Sequence, residues 1–209
     1  MKISRGIACF AIAFIGSVMS TQAMAVGKGF YVHLGSGSAD WTTEIDDSGA
    51  KFDSSSDTSH LGVGFVLDTA TEIDRLFNYR FQVGYEGFTD ERNNSSQKLE
   101  FGSLVIDQDF GFGIVRNDSL RFWLGPELRL SVSATSENNY DHVLFGIGLG
   151  PAIGINFHTG SNVSLGIKGG YMVMSYGGGA AASDSNNQSD LTYTVDEDFL
   201  FFNFAVLWH

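Results

Sequence analysis

The stretch that decides the fold is residues 143–157, which read VLFGIGLGPAIGINF. From Val143 to Phe157 every second residue is bulky and apolar, apart from Pro151, and the positions between are mostly glycine. An α-helix turns once in 3.6 residues and cannot hold such a run on one side, whereas a strand sends alternate residues to opposite faces. The pattern therefore predicts a long β-strand with one bulky apolar face.

Seven further segments alternate in the same way, so the sequence predicts eight strands. Their apolar faces are marked by Phe30–Leu34, Leu61–Leu67, Phe77–Tyr85, Leu104–Ile114, Leu120–Val132, Val163–Val173 and Leu200–Trp208. In the fourth segment Gln108 falls on the apolar face. Leu99 and Phe101 are out of phase with the rest of that segment, which predicts a β-bulge near Gly102.

Long and short connections alternate along the chain. The first, third, fifth and seventh are predicted to be long, polar loops at residues 38–57, 89–98, 134–141 and 177–194. The second, fourth and sixth are predicted to be short, at residues 68–76, 116–118 and 158–160. Long loops at one end and tight turns at the other are the layout of a transmembrane barrel of the outer-membrane type.

Residues 1–25 are typical of a secretory signal peptide. A basic head, Met1–Arg5, precedes an apolar stretch, and Ala23-Met24-Ala25 supplies a small-residue cleavage site, so we expect cleavage between Ala25 and Val26. The apolar stretch is shorter than the roughly 17 to 25 residues of a membrane-spanning helix. It contains the one cysteine, so the predicted mature domain, residues 26–209, has no disulfide.

Composition excludes several classes of protein. Charged residues make up 17% of the chain and aromatic residues 13%, with 26 glycines, which fits neither a disordered chain nor a coiled coil. The net charge of -12 argues against binding to the phosphates of nucleic acid.

With these strands and connections, residues 26–209 resemble the small eight-stranded outer-membrane β-barrels of the OmpA/OmpX type. The closing segment DFLFFNFAVLWH, residues 198–209, is similar to the terminal strand by which the barrel-assembly machinery recognises such proteins, although members usually end on an aromatic and here His209 follows Trp208. The resemblance implies an all-β, eight-stranded antiparallel up-and-down transmembrane β-barrel. It also implies the outer membrane of a Gram-negative bacterium, in contact with its lipid and lipopolysaccharide.

The bulky faces are predicted to point outward into lipid. A soluble lipocalin-like carrier would turn them inward, but eight strands enclose a space only just wide enough for ordinary side chains, and these would overfill it. Aromatic residues near the strand ends then fit interfacial girdles. These girdle residues are Tyr79, Phe157 and Trp208 near the short turns, and Tyr85 and Tyr171 toward the long loops.

The inward face is predicted to carry a network of charges that plugs the lumen. Its members are Arg80, Glu86, Glu100, Asp107, Asp109, Arg121, Glu127, Arg129 and Lys168. They are expected to pair, because an isolated buried charge is costly. An ion or proton path through these groups, and a ligand slot beside the inward glycines of residues 146–154, are the alternative interpretations.

No pattern of catalytic or metal-ligating residues stands out, and no cofactor is expected. Some barrels of this size are lipid A deacylases or acyltransferases with a His/Ser pair, and His158 with Ser161 offers one, but on the short-turn side. His60 and His142 reach the loop side without distinctive spacing, and no two histidines have the spacing of metal ligands.

Acidic residues concentrate in the predicted loop regions 38–57 and 177–198. Two interpretations of these carboxylates stay open: they are solvated by water, or divalent cations bridge them to lipopolysaccharide phosphates. The sequence as a whole predicts a non-enzymatic outer-membrane protein with a structural or surface-scaffold role. A lipid A-modifying enzyme and a small-ligand carrier or narrow channel are the alternatives.

Overall fold

The computed structural model of the chain describes residues 26–69, 75–92, 98–137, 140–159, 162–182 and 190–209. Its strands are β1 (Gly27–Ile45), β2 (Ala50–Asp68), β3 (Phe77–Arg92), β4 (Lys98–Arg116), β5 (Leu120–Glu137), β6 (Tyr140–His158), β7 (Val163–Ala182) and β8 (Leu191–Trp208). Each strand pairs antiparallel with its sequence neighbours, and β1 pairs with β8 to close the barrel. The predicted fold class is confirmed. The predicted signal peptide, residues 1–25, lies outside the described residues.

Alternation along each strand separates the two faces of the barrel wall. On β6 the glycines and Leu144 face the buried interior, while Phe145, Ile147 and Leu149 are exposed on the outside. Exposed apolar side chains of this kind, such as Phe30, Leu61 and Phe202, recur on the other strands and form a belt. An outward apolar belt on a closed barrel is the surface that lipid contacts. Within the described ranges, no helix has the length and apolarity needed to cross a membrane.

The long loops are shorter than predicted, because the strands continue through most of them. Residues 38–45 and 50–57 belong to β1 and β2, which pair from Ser38↔Asp57 to Ile45↔Ala50 and leave a turn at residues 46–49. In the other three predicted loops, residues 89–92, 134–137 and 177–182 are likewise strand. Polar residues on the outer face of a sheet can remain solvated, so polarity there did not signal a loop. Cross-strand bonds support the extension, with Ser55 donating to Asp40 at 2.7 Å and Thr42 to Asp53 at 2.9 Å.

The predicted bulge near Gly102 is wrong. Gly102 pairs in register with Gly87 on β3 and with Ala134 on β5, and the irregularity in β4 lies instead between Gly113 and Val115. Phe101 simply points inward, where its ring stacks near Trp41.

The two ends of the barrel differ in their connections. The β4–β5 turn is tight, and the Asn117 side chain accepts hydrogen bonds from the backbone N–H groups of Ser119 and Leu120 at 3.0 and 2.8 Å. We call the end that carries this turn the turn end, and the opposite end, with the turn at residues 46–49, the loop end.

The interior is filled by side chains in two chemically different regions. Near the loop end it is apolar and largely aromatic, with Trp41, Phe88, Phe101, Tyr176 and Tyr193 in one buried cluster. Toward the turn end the buried side chains are mostly charged or amide groups.

Candidate functional site

The candidate site is the charged interior, and its layer nearest the turn end is centred on Arg80. Arg80 donates to Asp68 Oδ2 through Nε at 2.8 Å and Nη2 at 2.5 Å, and to Asn156 Oδ1 at 3.0 Å. Asn156 in turn donates to Asp68 Oδ2 at 3.1 Å. The guanidinium lies over the Trp123 ring, 5.3 Å from its centroid. All four side chains are fully buried, so this layer closes the barrel near the turn end.

The middle layer is centred on Lys168. Its ammonium donates to Gln82 Oε1 at 2.6 Å, to Glu127 Oε2 at 2.8 Å and to both oxygens of Asp109 at 3.1 Å. These partners come from β3, β4 and β5, on the far side of the barrel from β7. The ammonium therefore joins β7 to three strands with which β7 does not pair in the sheet.

The third layer joins Arg129 to two carboxylates. Its Nη2 donates to Glu86 in a short contact, and its Nη1 lies 3.4 Å from Asp107 Oδ1. His33 stands on the other side of Glu86, with Nε2 3.5 Å from Glu86 Oε2 and Nδ1 2.6 Å from Asn203 Oδ1. The guanidinium also lies over the Phe199 ring at 5.5 Å, where the charged region meets the aromatic one.

His60 bridges two carboxyl groups in the same region. Its Nδ1 is 2.7 Å from Glu86 Oε1, and its Nε2 is 2.8 Å from Glu197 Oε1, while Tyr176 donates to Glu197 Oε2 at 2.7 Å. Each of the two histidine contacts needs one hydrogen, and a neutral imidazole carries a single N–H. His60, Glu86 and Glu197 must therefore share one additional proton: either the imidazole is protonated on both nitrogens, or one of the two carboxyl groups is protonated.

The middle and third layers form one network, because Asn203, which contacts His33 of the third layer, donates at 3.3 Å to the same Gln82 oxygen that accepts from Lys168. Acids outnumber Arg and Lys in the barrel interior. The buried carboxyl groups in the described part of the chain are Asp68, Glu86, Asp90, Asp107, Asp109, Glu127 and Glu197, against Arg80, Arg121, Arg129 and Lys168. The proton held around His60 is one means of offsetting this excess.

Eight of the nine residues predicted for the lumen are buried inside the barrel, and Glu100 is not. Because Phe101 points inward, its neighbour Glu100 points outward; its side chain is 71% exposed and forms an ion pair with Lys98 at 3.2 Å. Arg121 lies apart from the three layers, at the turn end, where it donates to Asn78 Oδ1 at 3.4 Å.

Sequence reasoning missed Asp68, His60 and Glu197 as members of the charged interior. Asp68 and His60 share the inward phase of β2, and Glu197 shares that of Phe199 and Phe201 on β8. Extending the alternation beyond the apolar markers would have found all three.

The five predicted girdle residues all lie on the outer face of the barrel. Tyr85, Phe157, Tyr171 and Trp208 are exposed, and Tyr79 is half-buried. Tyr79 donates to Gln108 Oε1 at 3.0 Å, which gives the one polar side chain on this part of the apolar face a hydrogen-bond partner.

His158 lies at the turn end beside a buried hydroxyl. Ser161, its predicted partner, lies outside the described residues, and His158 Nδ1 contacts Ser164 Oγ at 2.7 Å. The same hydroxyl lies 2.7 Å from His209 Nε2, and burial lowers the pKa of His209. Ser164 is fully buried, so no substrate reaches its hydroxyl in this arrangement. The described residues also contain no group of three or more His, Cys, Asp and Glu side chains arranged to hold a metal ion.

Comparisons with known proteins bear on the fold. The barrel is similar to the outer membrane protein OprG from Pseudomonas aeruginosa, with a TM-score of 0.60 at 10% identity over 86% of this chain and 95% of that one. Weaker likenesses are to Neisserial surface protein A (TM-score 0.35, 17% identity, 82% and 95% covered) and to the outer membrane protease OmpT from Escherichia coli (0.41, 8%, 91% and 99%). No protein-family model and no curated protein matches the sequence.

The chain thus has the fold of the small outer-membrane β-barrels, as the resemblance of its sequence to the OmpA/OmpX type implied. Together with the outward apolar belt, this fold agrees with the predicted outer-membrane localisation.

Proposed function

We propose that this barrel is a non-enzymatic outer-membrane protein with a structural or surface-scaffold role and a plugged lumen. The observation that carries the proposal is the layered interior, in which Arg80, Lys168 and Arg129 each bind a carboxylate inside the barrel and are at most 2% exposed. An eight-stranded barrel leaves no room for a water-filled channel once such layers are in place.

The turn end faces the periplasm in this proposal and the loop end faces outward. Carboxylates line the outer face of β1, β2 and β8 near the loop end, where Asp40, Asp57, Asp196 and Asp198 lie on paired strands. This acidic surface is the part of the molecule offered to partners. Lipopolysaccharide, with divalent cations between its phosphates and these carboxylates, is the expected neighbour, and the barrel-assembly machinery the expected partner during insertion.

Conductance across a planar lipid bilayer tests the plugged lumen. Refolded protein is expected to give no steady open state, and a reproducible open state in the wild-type protein would refute the plug. Mass spectrometry of lipid A from cells with and without the expressed protein tests the non-enzymatic role. A lost or added acyl chain would overturn that role.

A further inference from the structure

His60 stands where the charged interior meets the aromatic cluster. Its side chain is 2% exposed, with Glu86 at one edge of the imidazole and Glu197 at the other, at 2.7 and 2.8 Å. The imidazole also stacks with two phenyl rings that come from opposite sides of β2, Phe88 on β3 at 5.0 Å and Phe199 on β8 at 4.5 Å between ring centroids. Carboxylates at both nitrogens and aromatic rings over the ring plane are surroundings that stabilise a cation.

A glycine on β1 makes this enclosure possible. Gly35 pairs with His60, and a Cβ at Gly35 would lie 3.1 Å from His60 Cβ and 3.3 Å from the Phe199 ring. Because no side chain stands there, the Phe199 ring reaches from β8 across β1 to the imidazole. The backbone is therefore built to bring these two rings into contact.

The surrounding hydrogen bonds place the shared proton on His60. The second oxygen of Glu86 accepts from Arg129 Nη2, and the second oxygen of Glu197 accepts from the Tyr176 hydroxyl at 2.7 Å. Donors of this kind favour the ionised form of a carboxyl group. With both carboxyl groups ionised, His60 donates from both ring nitrogens and is an imidazolium.

His60 is the cation of this cluster whose charge depends on pH near neutrality. The charged or titratable groups that face the cluster from the other strands are Tyr31 and His33 on β1, Asp107 on β4, Arg129 on β5 and Tyr176 on β7, while β6 faces Tyr176 with Gly146. Arginine stays charged at every pH that a cell meets. His33 donates from Nδ1 to Asn203 Oδ1 at 2.6 Å, which a neutral ring can do. Loss of a positive charge from the cluster near neutral pH is therefore loss of the proton on His60.

We propose that His60 is a buried imidazolium that works as a pH-sensitive latch between the two halves of the barrel interior. The charged ring holds Glu86, which belongs to the charged layers, to Glu197, which Tyr176 binds from the aromatic cluster. When the ring loses its proton at alkaline pH, one of its nitrogens presents a lone pair to a carboxylate, and the loop end loosens. The loop end faces outward in the proposed function, and on that orientation rests the consequence that the surface offered to partners responds to pH.

The pH dependence of unfolding in urea tests the imidazolium. An unfolded chain has released its histidine protons above about pH 7, so unfolding of the wild-type barrel should release the proton on His60. Each proton released on unfolding raises the unfolding equilibrium constant about tenfold per pH unit, so the barrel becomes less stable as the pH rises. Between about pH 7 and pH 8 the wild-type slope should exceed that of His60→Gln by one such factor. His158→Gln, which removes the turn-end histidine beside Ser164, should keep the wild-type slope.

Hydrogen exchange of backbone amides tests the latch. After correction for intrinsic exchange rates, protection of residues 38–45 and 50–57 at the loop end should fall when His60 releases its proton, while residues 120–125 near the turn end should keep theirs. In His60→Gln the loop-end protection should be low at every pH. Loop-end protection that does not change with pH in the wild-type barrel would refute the latch.

Other results refute the charge on His60. Equal slopes in the wild-type barrel and His60→Gln would place the proton on a carboxyl group, and a slope lost in His33→Gln alone would place it on His33. If His60→Gln gives no folded barrel, ¹⁵N NMR of the wild-type barrel with labelled histidine decides, because an imidazolium carries a hydrogen on both ring nitrogens. A folded barrel without the latch leaves the plugged lumen intact, whereas a steady conductance would refute the plug and not the imidazolium.

Discussion

Arg129→Leu is the most informative perturbation of the interior. Arg129 contacts Glu86 and Asp107, and the three side chains are at most 3% exposed. In the variant Glu86 keeps its 2.7 Å contact with His60, but Asp107 loses the cation that contacts it. Removing one partner of a buried ion pair costs about 3 to 5 kcal/mol, because the other charge stays buried without compensation. We expect a loss of unfolding free energy of that size.

Equilibrium urea unfolding of the refolded barrel, followed by tryptophan fluorescence, measures this loss. The double variant Arg129→Leu/Asp107→Asn should recover at least half of it, since the uncompensated charge is gone. Glu100→Gln is the matched control: it removes a carboxylate that is exposed and bound to Lys98, so the unfolding free energy should not change. If the Arg129→Leu variant has the same unfolding free energy as the wild-type protein, the ion pairs of Arg129 do not stabilise the barrel. A double variant as unstable as the sum of its single changes would show that the two residues are not coupled.

Three further outcomes are expected. Gly154→Val should lower the unfolding free energy by about 1 to 3 kcal/mol, because a Cβ there would lie 2.4 Å from the Trp123 ring. Gly177→Ala should leave the unfolding free energy unchanged, because the space around its Cβ is open. Equal losses in the two variants would show that Trp123 does not pack against Gly154. Membrane-fractionated protein should migrate faster on SDS gels unboiled than boiled, and recovery in the soluble periplasm would count against a membrane barrel. Protease added to intact cells should not cut at Ser54–Ser56, because they lie inside β2. It should not cut at residues 117–119 either, because the proposed topology places the turn end in the periplasm. Cuts at residues 117–119 would show that the turn end faces outward.

The sequence predicted strands and their two faces best where the buried and exposed residues of a strand also differ in polarity. On β6, glycine alternates with Ile147, Leu149 and similar residues, and the structure has that strand and its two faces as predicted. Near the loop end the outer face turns polar while the inner face stays buried, as at Asp40 and Trp41, so the polarity of the segment suggested a loop. The same reasoning misplaced Glu100. It assumed that every apolar residue faces lipid, so Phe101 was predicted to point outward after a bulge and its neighbour Glu100 to point inward.

Which charges pair could not be read from the sequence. Lys168 and Gln82 lie 86 positions apart, and His60 and Glu197 lie 137 apart. Their contacts depend on the stagger of strands around a closed barrel, which brings non-neighbouring strands face to face across the interior. Alternation fixes the inward direction of a side chain but not its height relative to residues on other strands.

The length of the strands has a mechanical consequence. β7 has 20 residues, and at about 3.3 Å per residue and a tilt of about 40° such a strand rises about 50 Å, twice the roughly 25 Å height of an apolar band. The surplus at the loop end is continuous with the barrel wall and braced inside by Trp41, Phe101 and Tyr193. This part of the barrel is a rigid extension beyond the membrane. A peptide grafted into the turn at residues 46–49 would therefore be held at a fixed distance from the bilayer. A force applied to that peptide by a bound partner would be distributed over all the strands of the barrel.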